Sequence, residues 1–544
     1  MKNKGKVVLI GAEDEENLAI RYLGAALKSE NHEVKIISYS SRRDLKKVLN
    51  VIKRFYPDIV GISICFQSLA LMFLELVKKL KKILPNTHIT VGGHFPTFEY
   101  QELIMHDIDS VIRFEGEASI CMLTDALVNG KNLENIPNLV YKSPHHDKII
   151  ENDIIRTFPD LDEIHFPLRK KKAQIRLGER FATLVASRGC FHSHCIYCCI
   201  GAFHNAKNGK KYAIRTPQNV ALEMKELYSN KVRLFQFHDD NFLLPSVESN
   251  LTRLNELKLI LKDYGIDLNK ICILIKLRPD KLNGDIMDVL IDLGVIGIFL
   301  GVENASATGL NSLSRGSSVD DINKSLELID QYGISTTFNL LMFHPKATLS
   351  EINENIKFMN ENLDKSYDFG RVEIVAGSPL ESLVKRKNLI HGKWPHWDYR
   401  IKDNAVEKMF RINQKTFYHE KSQYSELSHK MISLSYRSQL IKRLYPGKYS
   451  EKIIKKNKEN LKKFNAFNLQ NLLKIYELTG EDDWQDSINN INLNLQKNYL
   501  IFLEKSNEIL NDMTKIQLLE KEFQKQSLNN YLQKSGLMKR LFKL

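Results

Sequence analysis

The fold of this chain is decided by the stretch Ser187-Arg-Gly-Cys190-Phe-His-Ser-His-Cys195-Ile-Tyr-Cys198-Cys199. It holds four of the seven cysteines and follows the apolar run Phe181–Ala186, which is typical of a strand. Thiolates crowded into a loop after a strand can reach one metal centre. Two alternatives remain open at this point: four small buried hydrophobic residues, or a structural zinc knuckle completed by His192 and His194.

Length and composition indicate a globular protein of several domains. The 544 residues are enough for two to four domains, and 43% hydrophobic with 26% charged residues is ordinary for this class. The sequence has no run of eighteen apolar residues, and its start does not read as a signal peptide. We therefore expect no membrane association and a cytoplasmic location, where thiols stay reduced.

The formal net charge of +14 raises the possibility of a nucleic-acid partner. Much of the excess is lysine on helical, Asn-rich sequence in the last third of the chain, as in 448–463, where it fits a solvated helix face. No base-reading motif accompanies it, so nucleic acid is disfavoured as a partner.

Residues 1–125 alternate strand and helix patterns, which predicts a doubly wound, Rossmann-like parallel sheet. Such a sheet binds ligands beyond the carboxyl ends of its strands. There is no Gly-x-Gly-x-x-Gly after the first strand, which disfavours a nicotinamide site. The polar and glycine residues at the strand ends are the candidate binding residues: Ser63, Gln67, Gly92, Gly93, His94, Thr97, Glu115, Gly116 and Glu117.

A second alternation fills residues 176–389, after a connector at 126–175. It contains six predicted strands, at 182–187, 234–238, 272–277, 297–302, 336–342 and 372–375, and indicates a partial (β/α)6 TIM-like barrel. Polar residues follow these strands, where barrel enzymes keep their chemistry: Asp239, Asp240, Asn241, Lys276, Arg278, Glu303 and His344. Residues 390–544 lack strand alternation and are expected to form an α-helical C-terminal domain.

Together these motifs resemble the radical S-adenosylmethionine (radical SAM) enzymes that carry a cobalamin-binding domain, the class B methylase-like group. Seven stretches beside the cysteine loop carry the resemblance. In the barrel they are Arg215-Thr-Pro-Gln-Asn-Val220, Phe237-His-Asp-Asp-Asn-Phe242, Leu300-Gly-Val-Glu-Asn-Ala-Ser306, Met342-Phe-His-Pro345 with Thr348, and Ala376-Gly-Ser-Pro-Leu-Glu381. In the first domain they are Gly92-Gly-His-Phe-Pro-Thr97 and Phe114-Glu-Gly-Glu117.

The resemblance implies three cofactors. Cys190, Cys195 and Cys198 would hold a 4Fe–4S cluster whose fourth iron binds S-adenosylmethionine. S-adenosylmethionine would also contact Tyr197, Asp239, Asp240, Asn241, Arg278 and Glu303. Cobalamin would bind at the nine strand-end residues of the first domain. A reducing partner such as flavodoxin or ferredoxin would supply the electron.

The chain departs from the family pattern in two places. Four residues separate Cys190 from Cys195 where three are usual, and this leaves Cys199 as an alternative to Cys198 for the third ligand. The first domain also lacks the Asp-x-His-x-x-Gly motif, so His94 is expected to be a loop residue and not a cobalt ligand.

The predicted function is methylation of an unactivated carbon in a small-molecule or peptide natural product. A deoxyadenosyl radical would abstract hydrogen, and methylcobalamin would supply the methyl group. An alternative is a cyclisation or rearrangement with the same cofactors. A zinc protein or nucleic-acid-binding protein is the third possibility, from a different class.

Overall fold

The computed structural model describes residues 3–13, 15–143, 148–155, 158–206, 210–419, 422–481 and 484–534. The last ten residues of the predicted helical domain lie outside the described residues. Among the helices in the described ranges, none combines the length and the apolar character that a bilayer crossing requires.

The first domain is built on one seven-stranded sheet. Its strands are β1 (Lys6–Gly11), β2 (Glu33–Ser38), β3 (Ile59–Ser63), β4 (His88–Gly92), β5 (Ser110–Ile112), β6 (Leu139–Lys142) and β7 (Ile149–Glu151), in the order β2-β1-β3-β4-β5-β6-β7. The first five pair in parallel, which confirms the predicted doubly wound sheet. β6 and β7 add antiparallel strands from the predicted connector.

Helices cover both faces of this sheet. They are α1 (Leu18–Ser29), α2 (Leu45–Phe55), α3 (Ala70–Ile83), α4 (His94–Leu103) and α5 (Glu117–Val128). Successive residues of β1 point to opposite cores: Val8 packs with Phe73 of α3, and Val7 packs with Leu123 of α5. Parallel strands that are covered by helices on both sides need apolar residues on both faces.

The second domain is a partial barrel. Its strands are β8 (Gln174–Arg176), β9 (Glu179–Leu184), the short pair β10 (Ser187–Gly189) and β11 (Tyr212–Ile214), β12 (Leu234–Phe237), β13 (Cys272–Leu277), β14 (Val295–Leu300), β15 (Ser335–Phe343) and β16 (Ser366–Arg371). The sheet order is β16-β15-β14-β13-β12-β9-β8, and all pairs are parallel except β8 with β9.

The six predicted barrel strands are present, with one displaced. The sixth strand lies at Ser366–Arg371 and not at 372–375. Buried Tyr367 and Phe369 alternate there with Asp368 and Gly370, and this segment pairs in parallel with β15, whereas the run at 372–375 lies beyond the paired residues.

Helices connect the barrel strands. They are α6 (Cys199–Asn205), α7 (Pro217–Ser229), α8 (Val247–Asp263), α9 (Gly284–Leu293), α10 (Ala307–Ser312), α11 (Val319–Tyr332), α12 (Leu349–Glu361) and α13 (Pro379–Arg386). Thr216 caps α7 with Pro217 in its first turn, and Ser318 forms a capping box at α11, as the sequence predicts.

The C-terminal domain is helical apart from one hairpin, β17 (Ile390–Lys393) and β18 (His396–Tyr399). Its helices are α14 (Asn404–Thr416), α15 (Tyr424–Leu444), α16 (Lys448–Glu477) and α17 (Gln485–Lys534). α15 packs against the barrel strands β14, β15 and β16. In the hairpin turn, Trp394 donates a 2.7 Å hydrogen bond to Glu99 and contacts Phe95, so it packs onto the first domain.

Candidate active site

A cavity of about 660 Å³ lies between the carboxyl ends of the first sheet and the cysteine loop of the barrel. Seven of the nine strand-end residues predicted for the first domain line it: Ser63, Gly92, Gly93, His94, Glu115, Gly116 and Glu117. The barrel contributes Arg188, Ile200, Phe203, His204, His238 and Asp240 to the opposite wall. The cavity is therefore shared between the two domains.

The glycine at the start of α4 brings two loops of the cavity together. Gly93 has φ +116°, and a Cβ atom there would lie 2.9 Å from the carbonyl oxygen of Ile64. Only glycine fits such a left-handed position at so close an approach. Thr97 donates a 2.8 Å hydrogen bond to the Gly93 carbonyl and accepts one of 3.0 Å from the Phe114 N–H. Thr97 thus holds the loops and does not line the cavity.

Gln67 has a bridging position instead of a place in the cavity wall. Its side-chain oxygen accepts a 3.0 Å hydrogen bond from the Ala376 N–H, and its amide nitrogen donates to the Pro395 carbonyl. It therefore joins the loop after β3 to the loops after β16.

Ion pairs hold the two domains together beside the cavity. Arg169 bonds Glu16 of the first domain and lies 2.6 Å from Glu223 of α7, whose other oxygen accepts from Arg215 at 2.6 Å. Arg188 lies 2.7 Å from Glu117. Alternating charges of this kind keep each buried group compensated.

The cysteine loop is anchored by backbone hydrogen bonds to distant segments. The Ile196 N–H donates to the Leu313 carbonyl at 3.1 Å, and the Leu380 N–H donates to the Ile196 carbonyl at 2.8 Å. The His192 ring lies 2.9 Å from the Ser314 carbonyl through Nε2. His192 thus fixes the loop from outside.

A buried guanidinium faces the cysteines. The Nη1 atom of Arg315 lies 3.6 Å from Cys195 Sγ, and its Nη2 atom donates a 2.8 Å hydrogen bond to the Gly301 carbonyl. Its Nε atom has no hydrogen-bond partner among the described residues. Nothing in the sequence distinguishes Arg315 from an ordinary turn residue, and it is absent from the predicted site.

Tyr197 and Glu303 belong to the same group of side chains. Burial raises the pKa of Glu303, while Arg315 and a hydrogen bond from Tyr197 lower it. Burial and the charge of Glu303 raise the pKa of Tyr197 well above its usual value. Glu303 has φ +65°, which is unusual for a residue with a side chain and marks a position that its surroundings hold in place.

The polar residues after β12, Asp239 to Asn241, have two different roles. Asp239 accepts a 3.0 Å hydrogen bond from the Ala186 N–H and a 2.5 Å one from Ser187 Oγ. Asn241 accepts from the Arg278 N–H at 3.0 Å. Asp240 accepts from the Gly189 N–H at 2.8 Å and also lines the cavity. Asp239 and Asn241 thus brace the loops, and Asp240 is placed between the cysteines and the first domain.

Arg278 places a second positive charge, beside that of Arg315, near the cysteines. Its Nε atom lies 2.8 Å from Asp280 and its Nη1 atom donates to the Arg315 carbonyl at 3.0 Å. Its Nη2 atom has no hydrogen-bond partner in the described part of the chain.

Cys198 and Cys199 have different neighbours. Burial raises the pKa of the Cys198 thiol to about 11, and the neighbouring Cys195 contributes to the shift. Burial raises that of Cys199 to about 12, with contributions from Cys198, Cys65 and Asp240. Cys198 therefore lies on the side of Cys195, and Cys199 is nearer the first domain.

These residues fit the donor set of an iron–sulfur cluster. Among the described residues, no three His, Cys, Asp or Glu side chains are arranged to hold one metal ion. The thiolates of a 4Fe–4S cluster bind separate irons and need not meet at one point. A cluster with three thiolates is an anion, and Arg315 and Arg278 present unpaired guanidinium nitrogens beside these cysteines.

Two family models match the chain and together cover more than half of it. Residues 6–123 match the B12 binding domain, and residues 184–359 match the radical SAM superfamily.

Three curated relatives are similar to the chain. An uncharacterised methyltransferase of Pyrococcus horikoshii is 27% identical over 72% of this chain and 80% of its own length. Hopanoid C-3 methylase of Methylococcus capsulatus is 24% identical over 60% of this chain and 61% of its own length. Anaerobic magnesium-protoporphyrin IX monomethyl ester cyclase of a Synechocystis species is 27% identical over 47% and 50%. The chain thus spans less than two thirds of the last two.

Two solved structures share the fold. The cobalamin-dependent S-adenosylmethionine radical enzyme OxsB has a TM-score of 0.63 at 16% identity, over 94% of this chain and 84% of that one. The radical S-adenosylmethionine methyltransferase TsrM from Kitasatospora setae has a TM-score of 0.60 at 17% identity, over 71% and 76%. These likenesses support the three-part architecture described above.

Proposed function

The chain belongs to the radical SAM enzymes that carry a B12-binding domain, and we propose that it methylates an unactivated carbon of a small-molecule or peptide substrate. The observation that carries the proposal is the shared cavity. One wall is the binding end of the B12 domain, and the other begins next to the cysteine loop. A methyl donor in that cavity would lie beside the centre that activates the substrate.

The residues on each side suit their proposed cofactors. Cys190, Cys195 and Cys198 are proposed to hold the 4Fe–4S cluster, and the cavity-lining residues of the first domain to hold cobalamin. When bound, the three cofactors supply one-electron cleavage of S-adenosylmethionine and a transferable methyl group.

The remaining residues position S-adenosylmethionine. We assign Tyr197 and Glu303 to its adenosyl part, because they form the polar group next to the cysteines. Asp240 can face its amino group, since one carboxylate oxygen is not needed for the Gly189 bond. Asp239, Asn241 and Arg278 support these positions through the hydrogen bonds of the loops after β12 and β13.

We further propose a cytoplasmic protein that receives electrons from a flavodoxin or ferredoxin. The reduced state that free thiols require is maintained there. The exposed lysines of α16 fit a solvated surface better than a nucleic-acid interface, since Asn457 and Leu461 on the opposite side of that helix are buried.

Anaerobic turnover with methyl-labelled S-adenosylmethionine tests the proposal. The reconstituted enzyme should form both deoxyadenosine and S-adenosylhomocysteine, because one molecule is cleaved to a radical and a second re-methylates the corrinoid. Deoxyadenosine without S-adenosylhomocysteine would indicate a radical cyclisation or rearrangement and would exclude methyl transfer. Stoichiometric zinc without iron–sulfur absorption would exclude the enzyme.

A further inference from the structure

One row of side chains on the inner face of the barrel is not covered by any of the residues that the structure describes. Lys276 of β13 is in register with Phe299 of β14, and Phe299 with Thr337 of β15. Residues in register on parallel strands point to the same side, as do residues two apart on one strand. Lys276, Phe299 and Asn339 therefore share one face. Their neighbours Ile275, Ile298 and Leu340 point the other way, into the core beneath the outer helices.

The C-terminal domain closes the lower part of this inner face. Leu274 and Ile296 pack against Leu434 and Ile441 of α15. Tyr436 fits against the strand at Gly297, where a Cβ atom would lie 2.5 Å from its ring. α15 thus forms a floor that ends just below Lys276 and Phe299.

Above this floor the row is open. Lys276 and Phe299 are only partly buried, and Asn339 is exposed although β15 has a neighbouring strand on each side. An exposed side chain in the middle of an internal strand means that the barrel encloses a lumen at this level. A half-buried Phe299 gives that lumen an apolar wall.

Lys276 and Asn339 have no partner in the described part of the chain. No hydrogen bond or ion pair links their side chains to any described residue, whereas the inward-facing Arg176 bonds both Glu15 and Gln236. Holding an ammonium group partly out of water without a counter-charge costs free energy. An anion bound from outside would recover that cost.

The charges beside the row are mixed, because Arg176 pairs with Glu15, whose other carboxylate oxygen lies 2.9 Å from His238. Burial, Lys276 and Arg176 together lower the pKa of His238 to about 4, so this imidazole is neutral at physiological pH and adds no charge of its own. Asp239 acts in the opposite sense on His238, but it is already bonded to Ala186 and Ser187.

The row lies directly beneath the proposed S-adenosylmethionine residues. The Glu303 N–H donates a 3.0 Å hydrogen bond to the Asn339 carbonyl, so Asn339 is one layer below Glu303. A molecule held in this row would therefore lie next to the reactive centre.

Building on the proposed function, we propose that Lys276 and Asn339 bind a carboxylate or phosphate group of the substrate, with Phe299 contacting the carbon skeleton beside it. The substrate class is thus an organic acid or phosphate ester. Lys276 is the ion-pair partner, and the Asn339 amide donates a hydrogen bond.

Equilibrium dialysis of labelled probes against the anaerobic, cofactor-loaded full chain tests this. The probes are benzoate, phenyl phosphate and the neutral benzamide. The wild-type protein should bind at least one anion ten or more times tighter than benzamide, and which anion it prefers distinguishes a carboxylate from a phosphate site. Lys276→Gln should weaken that binding at least tenfold, and Lys276→Arg should stay within about threefold of wild type.

Lys324→Gln is the matched control, since it removes an exposed lysine of α11 that pairs with Asp320. It should bind like wild type. Cobalamin absorbance and melting temperature show that each variant is folded. Equal anion binding by Lys276→Gln and wild type, or binding of benzamide as tight as that of the anions, would overturn the proposal. S-adenosylhomocysteine formation by the wild-type enzyme tests the methylase separately, so the two can fail independently.

Discussion

The Nη1 atom of Arg315 lies 3.6 Å from the Sγ atom of Cys195, and both residues are buried. The two are separated by 120 residues, and the turn after α10 brings Arg315 to the loop after β9. Burial raises the pKa of Glu303, and Arg315 opposes that rise. One guanidinium therefore acts on both the proposed cluster ligand and the proposed S-adenosylmethionine ligand.

Replacing Arg315 should make the proposed cluster harder to reduce. Reduction adds negative charge, which Arg315 stabilises from a low-dielectric position. We expect Arg315→Gln to lower the midpoint potential by roughly 60 mV, the equivalent of a tenfold change in a one-electron equilibrium. A redox titration followed by electron paramagnetic resonance measures it. The exposed Arg400→Gln is the control, and an unchanged potential in Arg315→Gln would show that the guanidinium does not act on the cluster.

Replacing Gly93 should weaken cobalamin binding. In Gly93→Ala the new Cβ would lie 2.9 Å from the Ile64 carbonyl, and the backbone at φ +116° and ψ −174° is in a region that essentially only glycine adopts. The loops after β3 and β4 must then separate at the cavity wall. We expect a lower melting temperature and at least a tenfold loss of cobalamin retained after gel filtration.

Gly130→Ala is the matched control for that experiment. Gly130 also has positive φ, at +62°, but nothing lies within 4 Å of an added Cβ. It should carry the strain of a positive φ without a close contact, and keep cobalamin. If both variants lose cobalamin equally, backbone strain and not the close approach at Gly93 is responsible.

The first domain should lose stability in mild acid through His88. Its ring lies 2.8 Å from Ser110 Oγ, and burial lowers its pKa to about 4, against 6.5 for a free imidazole. Between pH 6.5 and 4 the unfolded chain binds a proton that the native chain does not. The free energy of unfolding therefore falls with falling pH, by up to about 3 kcal/mol at pH 4.

Calorimetric melting across this pH range measures the effect. His88→Gln should show a smaller decrease in melting temperature on acidification than the wild type, because its side chain does not titrate. His165→Gln, which removes an exposed histidine, should follow the wild type. Identical pH dependence in His88→Gln and wild type would show that another group is responsible.

The two parallel sheets are predictable because their strands are apolar runs separated by capped helices. β6, with four residues, and β7, with three, are not predictable in the same way. β6 pairs antiparallel with β5, and β7 pairs antiparallel with β6 at the edge of the sheet, and their own residues show little periodicity. The hairpin at 390–399 is not predictable from the sequence for the same reason, because pairing across a short turn defines it.

Prediction from the sequence has the same limit for the side chains of the site. The cysteines and the strand-end glycines are local patterns, so the sequence points to them. Arg315 is important through a contact with Cys195, which lies 120 residues earlier in the chain. The sequence places Lys276 near a strand end, but only the structure shows that its side chain has no partner among the described residues. Asp239 has a motif position like that of Asp240, yet only the hydrogen bonds to Ala186 and Ser187 show that it braces a loop.

Mutagenesis can decide whether Cys198 or Cys199 is the third cluster ligand. Cys195 contributes to the raised pKa of Cys198, whereas Cys199 is the first residue of α6 and Cys65 of the first domain contributes to its raised pKa. A thiolate on the side of Cys65 would be less well placed to share a cluster with Cys195. We therefore expect Cys190→Ala, Cys195→Ala and Cys198→Ala each to lose most of the iron and sulfide after anaerobic reconstitution, and Cys199→Ala to keep at least four fifths. Iron and sulfide analysis with the absorbance near 400 nm measures this. Loss of the cluster in Cys199→Ala with retention in Cys198→Ala would make Cys199 the ligand. The spacing would then be one residue longer than usual on both sides of Cys195.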